Sequence, residues 1–206
     1  MLLLKYTSLA CLLLLLSACM GNQVKQQVAA NVESQVIEIP AQAAVDFKLA
    51  IEHLNNSKLA QAQIILEKMT IDYPQLSGPF ANLGVIYAQQ KDWPKAQSVL
   101  EEGHVKNVKN IKILNQLGLV YRHSGQFDKA EKSYLKAIKA VPKDITAYIN
   151  IGILYDIYMG KFVKASEYYQ KYQGMLNEPD RKVAGWIVDI NRRTGVKTQI
   201  AAEVSQ

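Results

Sequence analysis

The sequence has two cysteines, Cys11 and Cys19, and no thiol after position 19. Disulfides, cysteine-based zinc sites and cysteine nucleophiles are therefore excluded from the rest of the chain. Histidine occurs only at positions 53, 104 and 123, and no pair has the i, i+4 spacing of a helical metal site. No strand is evident, and no glycine-rich loop follows one, so nucleotide-binding folds find no support. No Arg/Lys block is interleaved with aromatics, so the formal charge of +6 does not speak for nucleic acid. Glu101-Glu102 reads as a solvated pair rather than an acid/base dyad. No arrangement supports catalysis, and no metal or cofactor is expected. The chain does have a folded-domain composition, 49% apolar and 20% charged, with eleven Tyr and six Pro in 206 residues. That balance suits helices packed on helices.

The N-terminus carries Lys5 and then an uncharged apolar run from Thr7 to Ala18. A bilayer-spanning helix needs roughly 20 residues, so this run is too short to span. It fits the apolar core of a secretion signal, because it ends in small residues and turns abruptly polar. The alternative is a buried helix. Leu16-Ser17-Ala18-Cys19 resembles a bacterial lipobox. The resemblance implies cleavage before Cys19, a diacylglycerol on the Cys19 thiol and acylation of the new amine, so 1–18 would be a lipoprotein signal peptide. Several acyl chains such as palmitate anchor stably where one binds only marginally. Met20 rather than Asp follows the cysteine, which by the same resemblance favours the outer membrane, facing the periplasm. The rival is a plain secreted protein cut elsewhere. Residues 19–42 lack aromatics and read as a lipidated flexible tether, with Val24, Val28, Val32 and Val36 every fourth residue and Pro40 as a helix stop.

A period of 34 residues then governs the chain. Gly84, Gly118 and Gly152 share it, as do Tyr87, Tyr121 and Tyr155, and Ala62, Ala96 and Ala130. Ala165 comes one residue late. This is the period of helix–turn–helix repeats. The pattern resembles the tetratricopeptide repeat family: a large residue, Leu-Gly, Tyr, Ala, an apolar residue, Ala and Pro. Residues 111–144 copy it best, with Leu114, Leu117-Gly118, Tyr121, Ala130, Tyr134, Ala137 and Pro142. Residues 77–110 and 145–178 follow it, the latter with one extra residue in the turn IYMGK. Residues 43–76 are degenerate, with His53 in the Tyr place. The expected fold is an all-α solenoid of about four such repeats, 43–178.

Each glycine would sit where a second helix crosses, faced by Ala96, Ala130 or Ala165. Trp93, Phe127 and Phe162 would anchor the turns. One repeat cannot bury its own apolar face, so stacking supplies the core. Val183, Trp186, Ile187 and Ile190 follow i, i+3, i+4, i+7 spacing and predict a capping helix within 179–194. Residues 195–206 read as a frayed tail. His104 is expected to be solvated, and Tyr168 to lie outside the core register.

The family resemblance also implies a ligand groove lined by first helices. Carried over here it comprises Phe47, Ile51, Leu54, Val85, Gln89, Lys112, Asn115, Leu119, Arg122, His123, Ile149, Ile153 and Asp156. The groove would be apolar at both ends with a basic centre at Lys112, Arg122 and His123, suited to an extended or helical peptide with room for one carboxylate. The tether or tail is an alternative occupant. The Lys/Asn/Arg clamp of cytosolic chaperone adaptors is not reproduced, since Phe47 and Ile51 stand where it needs Lys and Asn. The expected function is a lipid-anchored periplasmic adaptor that binds an envelope protein or peptide segment and supports an envelope complex, similar to pilus-assembly pilotins. The alternative is an accessory protein of a TonB/ExbB/ExbD-type energy-transducing system, since the stretch from Ile151 to Asp156, with Trp186, resembles small repeat proteins in such settings. An enzyme is the last choice, and the oligomeric state stays open.

Overall fold

The computed structural model describes residues 38–195. The expected signal, Cys19, most of the tether and nearly all of the tail lie outside the described residues. The first helix pair is α1 (Ala41–Asn55) and α2 (Leu59–Asp72), the second α3 (Ser77–Gln89) and α4 (Trp93–Lys106), the third α5 (Ile111–His123) and α6 (Phe127–Ala140). The fourth is α7 (Ile145–Ile153), continued by a π-helical segment (Leu154–Tyr158), and α8 (Phe162–Gln173). Helix α9 (Arg181–Thr194) comes last. Among the described residues there is no strand. The all-α expectation is met, and first helices begin at 77, 111 and 145 as the period requires. Helix α1 starts two residues before the expected 43, directly after Pro40.

Local chemistry explains the boundaries. Asp92, Asn110, Asp144 and Asp180 cap helix N-termini, each side chain accepting from backbone N–H groups of the first turn. Within each pair the chain turns through a left-handed residue: Ser57, Lys91, Gly125 and Gly160, at φ 58°, 61°, 71° and 62°. In each turn a carbonyl near the end of the first helical segment, that of His53, Tyr87, Tyr121 or Tyr155, accepts the N–H just after the left-handed residue, at 2.8–2.9 Å. This closes helix ends that would otherwise leave free carbonyls.

The crossings are tight. A Cβ on Gly84, Gly118 or Gly152 would lie within 3.0 Å of Leu100, Tyr134 or Tyr169 respectively. The sequence reading placed Ala96, Ala130 and Ala165 opposite these glycines. The alanines are indeed fully buried, but the atoms that press on the glycines belong to the side chain one helical turn later.

The extra residue of the fourth repeat is wound into the helix rather than extruded. The segment Leu154–Tyr158 is π-helical, with Met159 N–H donating to Leu154 O at 3.1 Å. A wider turn absorbs one residue without losing register, so Ala165 and Tyr169 still bury fully against their own first helix. Val183, Ile187 and Ile190 of α9 are buried, and the Trp186 ring lies 5.3 Å from that of Tyr169. The C-terminal helix thus covers α8. At the other end, Val45, Leu49, Ile64 and Ile71 of α1 and α2 remain exposed.

Candidate functional site

Polar side chains tie neighbouring first helices together. Asn110, capping α5, donates to Ser77 of α3 at 3.0 Å. Lys112 donates to Asn82 Oδ1 of α3 at 2.6 Å, and Asn82 in turn donates to the Gly78 carbonyl at 2.9 Å. Asn115 donates to Asp144, the cap of α7, at 2.5 Å. The Phe47 ring of α1 lies against Gly78 at the start of α3, where a Cβ would come within 3.2 Å of it. The row α1, α3, α5, α7 is therefore continuous.

Along that row the apolar groove positions are half-buried: Phe47, Ile51, Leu54, Val85, Leu119, Ile149 and Ile153. Gln89 is exposed at the end of α3. Val85, Leu119 and Ile153 occupy one register on three successive first helices. Phe47 and Leu54 also pack on the first-repeat core, and Ile149 and Ile153 on the central one.

The three expected basic residues do not share one environment. Lys112 is engaged by Asn82, and burial lowers the pKa of its ammonium group. His123 turns away to stack on Trp93 of α4, ring centroids 4.2 Å apart and nearly parallel at 6°. Burial, and then the charge of Arg122, hold its pKa below the ordinary imidazole value. That stack borders an open recess of about 510 Å³ lined also by Pro94, Gln97, Glu101 and Ser124. Arg122 is 9% exposed, and its Nε and Nη1 have no hydrogen-bond partner among the described residues. Its guanidinium lies over the Tyr158 ring, 5.4 Å from the centroid. The three are thus not one cluster: Lys112 is exposed and tied through its ammonium group to Asn82, His123 is stacked on Trp93, and Arg122 is a buried guanidinium. Asn115 Oδ1 is likewise buried without a partner. Asp156, from the π-helical segment, accepts from Tyr169 Oη and from Arg193 of α9, both at 3.4 Å. Asp156, the one acidic residue of the predicted groove, is therefore already engaged by the C-terminal helix.

Two further sequence expectations change. His104 is not solvated: its Nδ1 is buried and unpartnered, and burial, with Lys136 second, pushes its pKa down. Tyr168 is half-buried, with rings of Tyr155 and Tyr148 at 5.6 and 6.1 Å.

Sequence reasoning also missed a repeated hydrogen bond. Tyr87 donates to Glu67 at 2.8 Å, Tyr121 to Glu101 at 2.8 Å and Tyr155 to Glu131 at 2.7 Å. Each glutamate lies on the second helix of the preceding repeat. Glu67 and Glu101 do stand 34 apart, so that pair was findable in the repeat register. Among the described residues no cluster of His, Cys, Asp or Glu is arranged to hold a metal ion, and no helix is long and apolar enough to cross a membrane.

Comparison with known proteins agrees with this architecture. Residues 110–178 match the tetratricopeptide repeat family. No curated protein matches the sequence. Among solved structures, a MamA double mutant of strain RS-1 superposes with a TM-score of 0.67 at 20% identity, over 81% of this chain and 92% of its own. PilF of Pseudomonas aeruginosa gives 0.66 at 20% identity, over 73% of this chain and 68% of its own. MamA from Desulfovibrio magneticus RS-1, from residue 41 to its end, gives 0.66 at 19% identity, over 77% and 88%. The chain therefore shares the fold of tetratricopeptide repeat solenoids, closed by a C-terminal helix, and carries the family's sequence pattern across its third and fourth repeats.

Proposed function

We propose that this chain is a lipid-anchored periplasmic adaptor whose first-helix face binds a protein or peptide segment of an envelope complex, in the manner of a pilotin. The carrying observation is the series Val85, Leu119 and Ile153. These residues are half-buried at one register on neighbouring helices, so they offer a row of apolar anchors at repeat spacing, which is how a helix or strand is gripped in a groove. The lipobox-like Leu16-Ser17-Ala18-Cys19 supports the anchor, and the residue after it supports the outer membrane. The proposed occupant of the face is a partner's peptide, and the chain's role is recruitment rather than catalysis.

Leu119→Asp tests the face. Its side chain is half-buried at the surface of α5, so helicity should hold while crosslinked partners are lost from intact envelopes. Retention of the same partners by the folded variant would move the functional surface elsewhere.

A further inference from the structure

The strongest unexplained feature is electrostatic. Arg122 is buried, only 9% exposed, and neither Nε nor Nη1 meets an acceptor among the described residues. It belongs to none of the ion pairs among the described residues, whereas Arg193 holds both Asp156 and Asp189. A buried cation without a carboxylate is costly, and folded chains seldom retain one without a use. A second buried group is also unpaired. Tyr134 is fully buried, its Oη has no partner, and its ring end presses on Gly118, one turn before Arg122 on the same helix. Burial raises the Tyr134 pKa, and the charge of Arg122 works against that rise.

The third observation is backbone. The residue inserted in the fourth repeat is taken up by the π-helical segment Leu154–Tyr158, whose last residue sets its ring over Arg122. Widened turns of this kind recur at functional sites. Tyr158 is 37% exposed. Its ring is the aromatic group over the guanidinium, and it also packs on Phe127, centroids 5.6 Å apart.

We propose that Arg122, with Tyr158 as a movable cover, is the receptor for an Asp or Glu side chain of the bound peptide. The inference rests on the adaptor reading above. The carboxylate accepts from the guanidinium, satisfying its unpaired donors, while Tyr158 exchanges its place over the cation for a place beside the peptide. A planar carboxylate matches the guanidinium fork. The acid is a side chain and not a chain end, because apolar groove positions continue on both sides, Val85 on α3 and Ile153 on α7. A peptide passes this point rather than stopping at it.

The test is selection of a random peptide library displayed on phage by wild type, Arg122→Met and Arg122→Lys. Wild type should enrich peptides with one fixed Asp or Glu between apolar positions. Arg122→Met should lose that preference, with binding of the best acidic peptide weakened by about tenfold or more, yet melt at or above the wild-type temperature, because an unpaired buried charge has been removed. Arg122→Lys should keep a reduced acidic preference. Selection of apolar peptides with no acidic position, or an acidic preference that survives in Arg122→Met, overturns the carboxylate receptor and leaves the adaptor reading standing. Unfolding of both variants would mark Arg122 as structural and overturn it too. Selection of no peptide at all by wild type would overturn the adaptor reading itself. Preference for a free C-terminal carboxylate would overturn the side-chain assignment.

Discussion

The Tyr155 hydroxyl donates to Glu131 at 2.7 Å, whereas its counterparts Tyr87 and Tyr121 use Glu67 and Glu101, which stand one turn further along their helices. At the position 34 residues after Glu101 the chain has Leu135, which is exposed. Glu131 lies four residues earlier on α6, on the same face, so it reaches the same phenol. It also holds Lys161 at 3.6 Å. The bond is preserved while its sequence register is not.

These phenols set an alkaline limit on the fold. Burial first, then the hydrogen bond to Glu67, lifts the Tyr87 pKa from 10.0 to about 12. Tyr121 and Tyr155 are raised further by burial and by their glutamates, and Tyr134 and Tyr169 chiefly by burial. A group whose pKa is raised in the folded state contributes stability that is whole below its unfolded pKa and lost as pH climbs through the folded one. Stability should therefore be unaffected by these tyrosines below pH 10, fall from there, and be lost through pH 12 and above. Tyrosinate absorbance and helicity, followed together with rising pH, should show these groups ionising with unfolding. Their ionisation near pH 10 with the helices intact would contradict the buried Tyr–Glu bonds.

One substitution should act with opposite signs at two glycines. Gly118→Ala pushes a methyl group into Tyr134, and overpacking of this kind costs about 1–3 kcal/mol. Gly185→Ala meets nothing within 4 Å on the exposed face of α9, and helix propensity there favours Ala by about 1 kcal/mol. Thermal melts should shift down for the first and up for the second. Equal melts would mean that Gly118 is not at a close crossing.

Deleting Ile157, exposed within the π-helical segment, restores the 34-residue spacing between Gln126 and the residue before Phe162. The turn should revert to ordinary α-helix, helicity should hold, and Tyr158 should leave Arg122. Circular dichroism and peptide selection read the two effects separately. An acidic preference unchanged by the deletion would show that the widened turn is irrelevant to recognition.

If the proposed anchor is correct, Cys19→Ser should shift the protein out of the membrane fraction and prevent lipidation at the lipobox-like Leu16–Cys19 segment. If the variant still sediments with the outer membrane and is processed at the same site, the lipid anchor is wrong.

The fold was legible because its determinants are periodic. Gly84, Gly118 and Gly152, the Tyr series and the Ala series repeat the same contacts, and a contact that repeats writes itself as a spacing. The turns at Ser57 and Lys91 were legible only in part: the 34-residue step puts both in the place of Gly125, but nothing in their side chains announces the left-handed backbone that the structure shows. The first-helix row was legible as a list of helix positions and not as chemistry. Whether a cation is free depends on which group faces it from another helix. Lys112 meets Asn82 and His123 meets Trp93, both across repeats. Arg122 meets a tyrosine delivered by an insertion, which no spacing rule foretells.

That insertion separates counting in residues from counting in contacts. Second helices begin 34 residues apart at Trp93 and Phe127, and 35 apart at Phe127 and Phe162. Yet Tyr169 meets Gly152 as Tyr134 meets Gly118. The chain is longer by one residue where the stack is not longer by any. The surplus backbone is stored as a broader coil at the edge of the first-helix row. Helix α8 beyond it inherits the old geometry, while the coil itself is free to differ. A repeat array can acquire local individuality in this way without disturbing its lattice.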